Sequence, residues 1–334
     1  MASSNSPRKA LAMNGLRAGA VLAAMAVAAT AQAQAQFPDR PLRLIVPFAP
    51  GGNIDLTART IAPGMSQVLG QPVVVDNRSG AGGRIGAEVA AKSAPDGYTL
   101  LLGSSGSLTI NPVFGTNVSY DPLRDFTPTT LVSITPLVVT VHPSVPVKTI
   151  AALIALAKKQ PGRLAVASAG IGSTTHIANE IFQIEAGVKF IHVPFKGSGP
   201  ALVDLVGGHA DLMFDQLSTS SPHIRAGRLR ALALTTSKRS ALLPEIPTIE
   251  EAGVRGYEVE TWTGVFLPAN APKEIVARIW KAAYDTLAQP SVRESFERLG
   301  SEPMRSTPEA LATRMRNEIV KWTAVKQAVN IKLE

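Results

Sequence analysis

Short apolar runs alternate with amphipathic stretches along most of the chain. The apolar runs have the length of β-strands and lie at residues 42–46, 73–75, 98–102, 131–141, 164–167, 190–193, 210–214 and 229–234. Between them, segments with helical spacing lie at residues 56–69, 85–91, 150–158, 174–186 and 201–206. This alternation predicts an α/β fold with largely parallel sheets.

Two extended runs, at residues 129–141 and 257–267, are longer than the others, and each is long enough to cross from one lobe to another. A chain of this length exceeds what one hydrophobic core usually serves, so two lobes are expected. We predict a first lobe built from residues 36–137 plus 256–334, and an inserted second lobe at residues 138–255.

The C-terminal part, residues 273–326, has a helical pattern throughout. Proline is favoured at the first position of a helix, so Pro290 and Pro308 are predicted to begin new helices. This helical part is expected to pack against the first lobe.

The first 35 residues have the pattern of a signal peptide. Arg8, Lys9 and Arg17 precede an apolar core at residues 18–29, and small-x-small processing motifs follow up to residue 35. A membrane anchor is the alternative, but this core falls well short of the ~20 residues that a spanning helix needs. We therefore predict export to the periplasm with cleavage near residue 36.

Composition narrows the possible functions. The chain has no cysteine, which excludes a lipid-modified N-terminal cysteine and any thiolate metal or redox site. The formal net charge of +8 includes three basic residues of the leader. The other lysines and arginines are scattered singly without interleaved aromatic residues, which argues against nucleic-acid binding. A modest positive field instead favours capture of anions.

Each half of the chain contains a strand, a glycine-rich turn and the start of a helix, at residues 44–55 and 164–176. Such a turn presents free backbone N–H groups and the positive end of a helix dipole, which together favour an anion. Asn53 and Ser173 are predicted N-caps. Either turn alone is equally well explained as a tight connection, but one per lobe favours a cleft at the carboxyl ends of the strands.

Two more loops are predicted to reach the same cleft, at residues 103–107 and 194–200. Lys196 is either a counter-charge for the ligand or a solvated surface lysine. Asp55 lies in the first turn of a helix, where an acid stabilises the dipole whatever the function. His176 is expected to be a structural or lining residue rather than a base.

Catalytic and cofactor motifs are missing from the sequence. There is no G-x-S-x-G elbow, no H-x-x-x-H pair and no phosphate loop. The glycine-rich run at residues 80–86 departs from a dinucleotide fingerprint in its last gap. We therefore predict a protein that is not an enzyme and has no cofactor or metal. An exported hydrolase on a similar scaffold is the weaker alternative.

Several ordered motifs closely resemble the Bug family, the substrate-binding proteins of tripartite tricarboxylate transporters. They are PFAPGG at residues 47–52, NRSGAGG at 77–83, APDGYTL at 94–100, SAGIGS at 168–173 and PFKG at 194–197. The resemblance implies a two-lobed periplasmic-binding-protein fold of type II, the Venus flytrap, with two hinge strands. Asn53 and Gln216 stand where this family usually has other residues.

The resemblance also implies a function. A small carboxylate, whether an organic acid, an amino acid or an aromatic acid, would bind between the lobes and pass to a two-subunit integral-membrane permease. A sensory binding protein for the same ligands remains open. The protein is expected to be a monomer. The residues expected to bind the ligand are Phe48, Ala49, Gly51, Gly52, Asp55, Ser104, Ser105, Ser107, Ser168, Gly170, Gly172, Ser173, Thr174, His176, Phe195, Lys196, Gly197 and Asp215.

Overall fold

A computed structural model describes residues 37–329 and residue 331. The signal peptide predicted at residues 1–35 lies outside the described residues. One compact unit begins at Arg40 and contains all of the described strands and helices. Among the described residues, no helix combines the length and the apolar character needed to span a membrane.

Ten strands occur in the described part of the chain, and every predicted strand is among them, most with shifted ends. They are β1 (Leu42–Val46), β2 (Val73–Asn77), β3 (Thr99–Ser104), β4 (Phe126–Val141), β5 (Ala165–Ser168), β6 (Ile191–Pro194), β7 (Leu212–Gln216), β8 (Arg230–Leu234), β9 (Glu260–Pro268) and β10 (Glu302–Pro303).

Ten α-helices cover or connect these strands in the same described part, and the predicted helices are among them. They are α1 (Asn53–Leu69), α2 (Arg84–Ala91), α3 (Asn111–Phe114), α4 (Ile150–Lys159), α5 (Thr174–Ala186), α6 (Ser198–Val206), α7 (Leu217–Arg225), α8 (Lys273–Ala288), α9 (Pro290–Arg298) and α10 (Pro308–Val329). The helices α9 and α10 begin at the two prolines, as predicted. A short π-helix, Gly106–Ile110, precedes α3.

The strands form two sheets that share one long strand. The first sheet has the order β2-β1-β3-β9-β4, and the second continues as β4-β7-β5-β6. Strand β4 pairs with β9 from Phe126 to Pro136 and with β7 from Leu137 to Val141. The chain returns at Val259, whose N–H donates to Thr235 O at 3.0 Å just before β9 begins. Both long extended runs therefore connect the two sheets.

The expectation of largely parallel sheets was wrong, because the sheets are mixed. Strand β1 is parallel to β2 and β3, and β5 is parallel to β6 and β7. The connecting strands β4 and β9 are antiparallel to their neighbours. Parallel neighbours must be joined by a crossover connection. Strands β4 and β9 instead pass directly between the two sheets, and they pair antiparallel with their neighbours.

The C-terminal part is not helical throughout, which corrects a second expectation. After α9 the chain turns at Gly300, whose φ of +72° suits glycine. Glu302 and Pro303 then pair antiparallel with Ile134 and Ser133 of β4 as β10. This short strand fixes the end of α9 against the first sheet.

The largest hydrophobic core is centred on Phe182 of α5, whose ring packs against Phe190, Phe214 and Tyr257. Phe182 is fully buried, and burying such a side chain stabilises the fold by about 1.5–3 kcal/mol. The same core includes Trp322 of α10, far along the chain. The C-terminal helix therefore closes this core.

Helix α5 has a defined cap at each end. Ser173 caps the helix by accepting a hydrogen bond from the His176 N–H, as the sequence predicted. At the other end, Gly187 adopts a left-handed conformation with φ +61° and stops the helix. The cap fixes the position of the loop between β5 and α5.

Candidate functional site

A small cavity lies where loops from the two sheets meet. Its lining comes from the β1–α1 loop, the ends of β3 and β7, the β5–α5 loop, the start of α6 and strand β9. The lining residues are Phe48, Gly52, Asn53, Ile54, Ser104, Ala169, Ser173, Thr174, Ser198, Gln216 and Thr261. No side chain in this lining is ionisable.

Four helices begin at this cavity. Asn53, Thr174 and Ser198 are the first residues of α1, α5 and α6, and Gln216 directly precedes α7. The first N–H groups of a helix have no partner within it and carry the positive end of its dipole. These helix starts therefore contribute positive potential to the cavity, whose lining includes no basic side chain.

Asp55 organises the first glycine-rich loop from outside the cavity. Its Oδ2 accepts hydrogen bonds from the Gly51 N–H and from Arg59 Nε, both at 3.0 Å, and Asn77 Nδ2 donates to Oδ1 at 3.0 Å. Burial alone would raise the pKa of Asp55, but these hydrogen bonds outweigh it and hold the pKa below its ordinary value. An ionised Asp55 thus fixes the loop.

The second glycine-rich loop is held from below by two side chains. Ser168 Oγ accepts from the Gly170 N–H at 3.1 Å, and His176 Nδ1 accepts from the Gly172 N–H at 3.2 Å. Ser168 Oγ also lies 2.6 Å from Nε2 of His192. The predicted site residues Ser168 and His176 therefore support the loop and do not line the cavity.

The rings of His176 and His192 stack with their centroids 3.9 Å apart. Burial lowers the pKa of His176 to about 3, with a further contribution from His192, and burial lowers the pKa of His192 to about 4. Both rings are neutral near pH 7. Since Nδ1 of His176 accepts a hydrogen bond, its proton lies on Nε2, which is 3.6 Å from Glu180 Oε1.

Direct contacts join the two sides of the cavity, so the structure is closed. The Ala49 N–H donates to Lys196 O at 3.0 Å, and Ser105 Oγ lies 3.0 Å from Thr174 Oγ1. Ser218 Oγ of α7 donates to Asn53 Oδ1 of α1 at 2.7 Å. Each contact links loops that belong to different sheets.

Five of the predicted site residues line the cavity: Phe48, Gly52, Ser104, Ser173 and Thr174. The rest lie in the same loops but outside the lining: Ala49, Gly51, Asp55, Ser105, Ser107, Ser168, Gly170, Gly172, His176, Phe195, Lys196, Gly197 and Asp215. The Lys196 side chain is exposed, and its backbone carbonyl makes the contact described above.

Asp215 is fully buried beneath the start of α7. Its Oδ2 accepts hydrogen bonds from Thr219 Oγ1 at 2.6 Å and from Ser220 Oγ at 2.8 Å, while Oδ1 has no partner. Burial raises the pKa of Asp215, against the opposing effect of these hydrogen bonds. Asp215 therefore holds the first turn of α7.

Six lining residues were missing from the sequence prediction: Asn53, Ile54, Ala169, Ser198, Gln216 and Thr261. The prediction that Asn53 is the N-cap of α1 is wrong. The N-cap is Gly52, and no side chain caps this helix. For Asn53 and Gln216, the sequence did give a signal, because the Bug family usually has other residues at these two positions. Nothing in the sequence indicated Thr261, because its place depends on how β9 pairs.

The described residues offer no cluster of three or more His, Cys, Asp or Glu side chains that could hold a metal ion. The arrangement is suited to holding an anion by hydrogen bonds. No acid or base side chain lines the cavity.

Comparison with known proteins supports this interpretation. Residues 57–331 match the model of the tripartite tricarboxylate transporter family receptor. Protein BugT of Bordetella pertussis is 38% identical over 317 residues, which cover 95% of this chain and 97% of BugT. The periplasmic binding protein BugD has a structure with a TM-score of 0.86 and 35% identity, covering 89% of this chain and 99% of BugD.

Two related structures from Rhodopseudomonas palustris contain bound acids. One, with adipate, has a TM-score of 0.85 and 38% identity, covering 89% of this chain and 99% of the other. The second, MatC with bound malate, has a TM-score of 0.84 and 36% identity, covering 86% of this chain and 99% of MatC.

The likeness to the periplasmic binding protein BugD confirms the predicted two-lobed type II fold, with β4 and β9 as the strands that connect its sheets. These structural neighbours are solute-binding proteins and not enzymes. The chain therefore belongs to the tripartite tricarboxylate transporter receptor family, alongside the Bug proteins, and is a periplasmic solute-binding protein.

Proposed function

We propose that this protein captures a small carboxylate between its lobes and delivers it to a two-subunit integral-membrane permease. It is exported with a signal peptide that is cleaved near residue 36, and it works as a monomer that binds no nucleic acid. Residues 36–137 plus 256–334 form one lobe, and residues 138–255 form the other. The convergence of four helix N-termini on one cavity is the observation that carries this proposal.

The cavity suits a carboxylate for electrostatic reasons. Free N–H groups at the starts of α1, α5 and α6 offer donors to an anion, and the dipoles of these helices favour its charge. A hydrogen bond to a charged group contributes about 1.5–3 kcal/mol, and micromolar affinity corresponds to about 8.2 kcal/mol. Several such bonds are therefore sufficient even after the cost of association.

Closure follows from the same geometry. The donors come from both sides of the cavity, so a bound carboxylate contacts both lobes and stabilises the closed form relative to the open form. The loops that hold these donors are themselves fixed by Asp55 on one side and by His176 on the other. The remaining predicted site residues then shape the two loops around the ligand.

The related structures with adipate and malate support the ligand class. The proposed ligand is accordingly an acid of similar size, and the family model supports a membrane transporter as the partner. Neither acid needs a basic side chain in the site if backbone donors neutralise its charge.

The first experiment expresses the full chain in a Gram-negative host and purifies it from the periplasmic fraction. Intact mass gives the cleavage site. A thermal-shift panel then tests adipate, hexanoate, malate, succinate, benzoate and aspartate. An acid at 100 times its dissociation constant adds about 2.7 kcal/mol, which raises the unfolding midpoint of a chain of this size by roughly 4 °C. No shift with any acid contradicts the proposal.

Transport is tested separately in the producing bacterium. Deleting the gene should abolish uptake of the radiolabelled acid that stabilises the protein, and the wild-type gene supplied in trans should restore it. Unchanged uptake in the deletion strain would contradict delivery to a permease and would leave binding as the function.

A further inference from the structure

One side-chain polar atom in the cavity lining lacks a hydrogen-bond partner. Asn53 is 2% exposed, and its Nδ2 is buried without a hydrogen bond. An unsatisfied buried donor costs about 1–3 kcal/mol. Asn53 also lines the cavity, so its Nδ2 is a donor at the binding site that no group of the protein satisfies.

The other polar side chains of the lining are satisfied within the protein. Ser198 Oγ donates to Gln216 Oε1 at 2.8 Å, and Gln216 Nε2 donates to Thr261 Oγ1 at 3.2 Å. The hydroxyls of Ser104, Ser173 and Thr174 lie within hydrogen-bond distance of hydroxyls on Ser107, Thr175 and Ser105. Within the described residues, Asn53 thus differs from every other polar side chain of the lining.

The orientation of the Asn53 amide is set by its oxygen. Oδ1 accepts hydrogen bonds from Ser218 Oγ at 2.7 Å and from Thr135 Oγ1 at 3.3 Å. Thr135 lies on β4 in the same lobe as Asn53, whereas Ser218 belongs to α7 of the other lobe, so the bond to Ser218 forms as the lobes close. They leave the nitrogen as the amide atom available to a ligand.

We infer that Asn53 is a specificity residue, whose Nδ2 donates a hydrogen bond to a second oxygen of the ligand, apart from the carboxylate that the helix N-termini hold. The inference rests on the proposed function and narrows its ligand class. The ligand is a small organic acid that carries a second carboxylate or a hydroxyl group. Asn53 also couples recognition to closure, since its oxygen contacts the other lobe.

The same geometry disfavours amino acids. An ammonium group beside Asn53 would face another donor, and no acidic side chain lines the cavity to accept from it. The nearby carboxylate of Asp55 is already occupied by three donors. A buried cation without an acceptor is strongly unfavourable.

The test compares two pairs of acids, and the members of each pair differ in one oxygen-bearing group. Adipate and hexanoate differ in one terminal carboxylate, and malate and succinate differ in one hydroxyl. Isothermal titration should show that the wild type binds the oxygen-rich member of at least one pair at least tenfold more tightly. In Asn53→Ala this ratio should fall to about twofold or less, because the donor is gone.

The ratio separates recognition from closure. Losing the bonds to Ser218 and Thr135 weakens both members of a pair equally, so a general closing defect leaves the ratio unchanged. Asn53→Asp keeps the oxygen that these hydroxyls contact and replaces the donor by a second oxygen, which carries negative charge when the carboxyl group is ionised, so it should also lose the preference. Asn270→Gly is the control, since Asn270 is exposed and its φ of +65° suits glycine.

The outcomes distinguish the two proposals. If hexanoate or benzoate binds while the oxygen-rich acids do not, the role of Asn53 is refuted and the proposed function stands. The same holds if Asn53→Ala keeps the wild-type ratio, or if aspartate binds as tightly as malate. If no acid of the panel binds, the proposed function fails first.

Discussion

Replacing Gly199 by alanine should block lobe closure without harming either lobe. A Cβ at Gly199 of α6 would lie 2.2 Å from Pro50 O and 3.2 Å from Gly51 C, both in the loop of the opposite lobe. Gly199 is not among the glycines with positive φ, so its backbone accepts alanine. Alanine also favours the helical conformation over glycine. The substitution therefore acts on the contact between lobes.

The magnitude follows from the short contact. The two loops must separate by about 1 Å to restore an ordinary van der Waals distance. Forcing extra atoms into a packed contact costs about 1–3 kcal/mol. If the closed form alone binds tightly, this cost appears in the affinity as a weakening of roughly 5- to 150-fold.

Isothermal titration with the acid that stabilises the wild type measures the effect, and ligand-free thermal unfolding checks folding. Gly207→Ala is the matched control at the other end of α6, where a Cβ would lie 3.2 Å from the exposed His209 ring and 3.4 Å from Val203 O. We expect weaker binding in Gly199→Ala alone, with wild-type unfolding midpoints in both variants. Wild-type affinity in Gly199→Ala would refute the view that this closed arrangement is the bound one.

Three further predictions concern stability. Gly86→Ala should destabilise the fold by about 1–3 kcal/mol in urea titrations, because its Cβ would lie 2.6 Å from Pro47 Cα; an unchanged midpoint would contradict this close helix–strand approach. Phe182→Ala should cost about 3–5 kcal/mol by the same assay, and a cost below that of Gly86→Ala would count against its central place in the core. The pKa values of His176 and His192 lie at about 3 and about 4 in the folded protein, below the unfolded value of about 6.5. The unfolded state therefore binds more protons, and the free energy of unfolding should fall as the pH drops from about 6.5 to 4. His176→Gln should flatten that decline in thermal unfolding, and an identical pH profile would show that this ring does not titrate on unfolding.

The local pattern of the sequence predicted most elements because each depends on nearby residues. The run at residues 42–46 coincides with β1, and the segment at residues 174–186 coincides with α5. Ser173 was identified as a cap from its place before an amphipathic stretch. Glycine-rich turns after buried strands also located the loops that form the cavity.

Features that depend on pairing between distant segments were not predictable in this way. The mixed direction of the sheets and the existence of β10 follow from where β4 finds partners. Thr261 lines the cavity only because β9 starts at the preceding residue, Glu260. Asn53 was placed on the correct loop, but its side chain turns to Ser218 and the cavity, and only tertiary contacts reveal that.

Strand β4 has a consequence for how such a protein can change over evolution. One continuous strand belongs to both sheets, and residues before and after the inserted segment complete its core through Phe114 and Trp322. Exchanging the proposed second lobe, residues 138–255, between relatives would require two crossovers inside hydrogen-bonded strands, and the new lobe would have to match both aromatic side chains. New specificities are therefore reached more easily by point substitutions in the loops than by recombination of whole lobes.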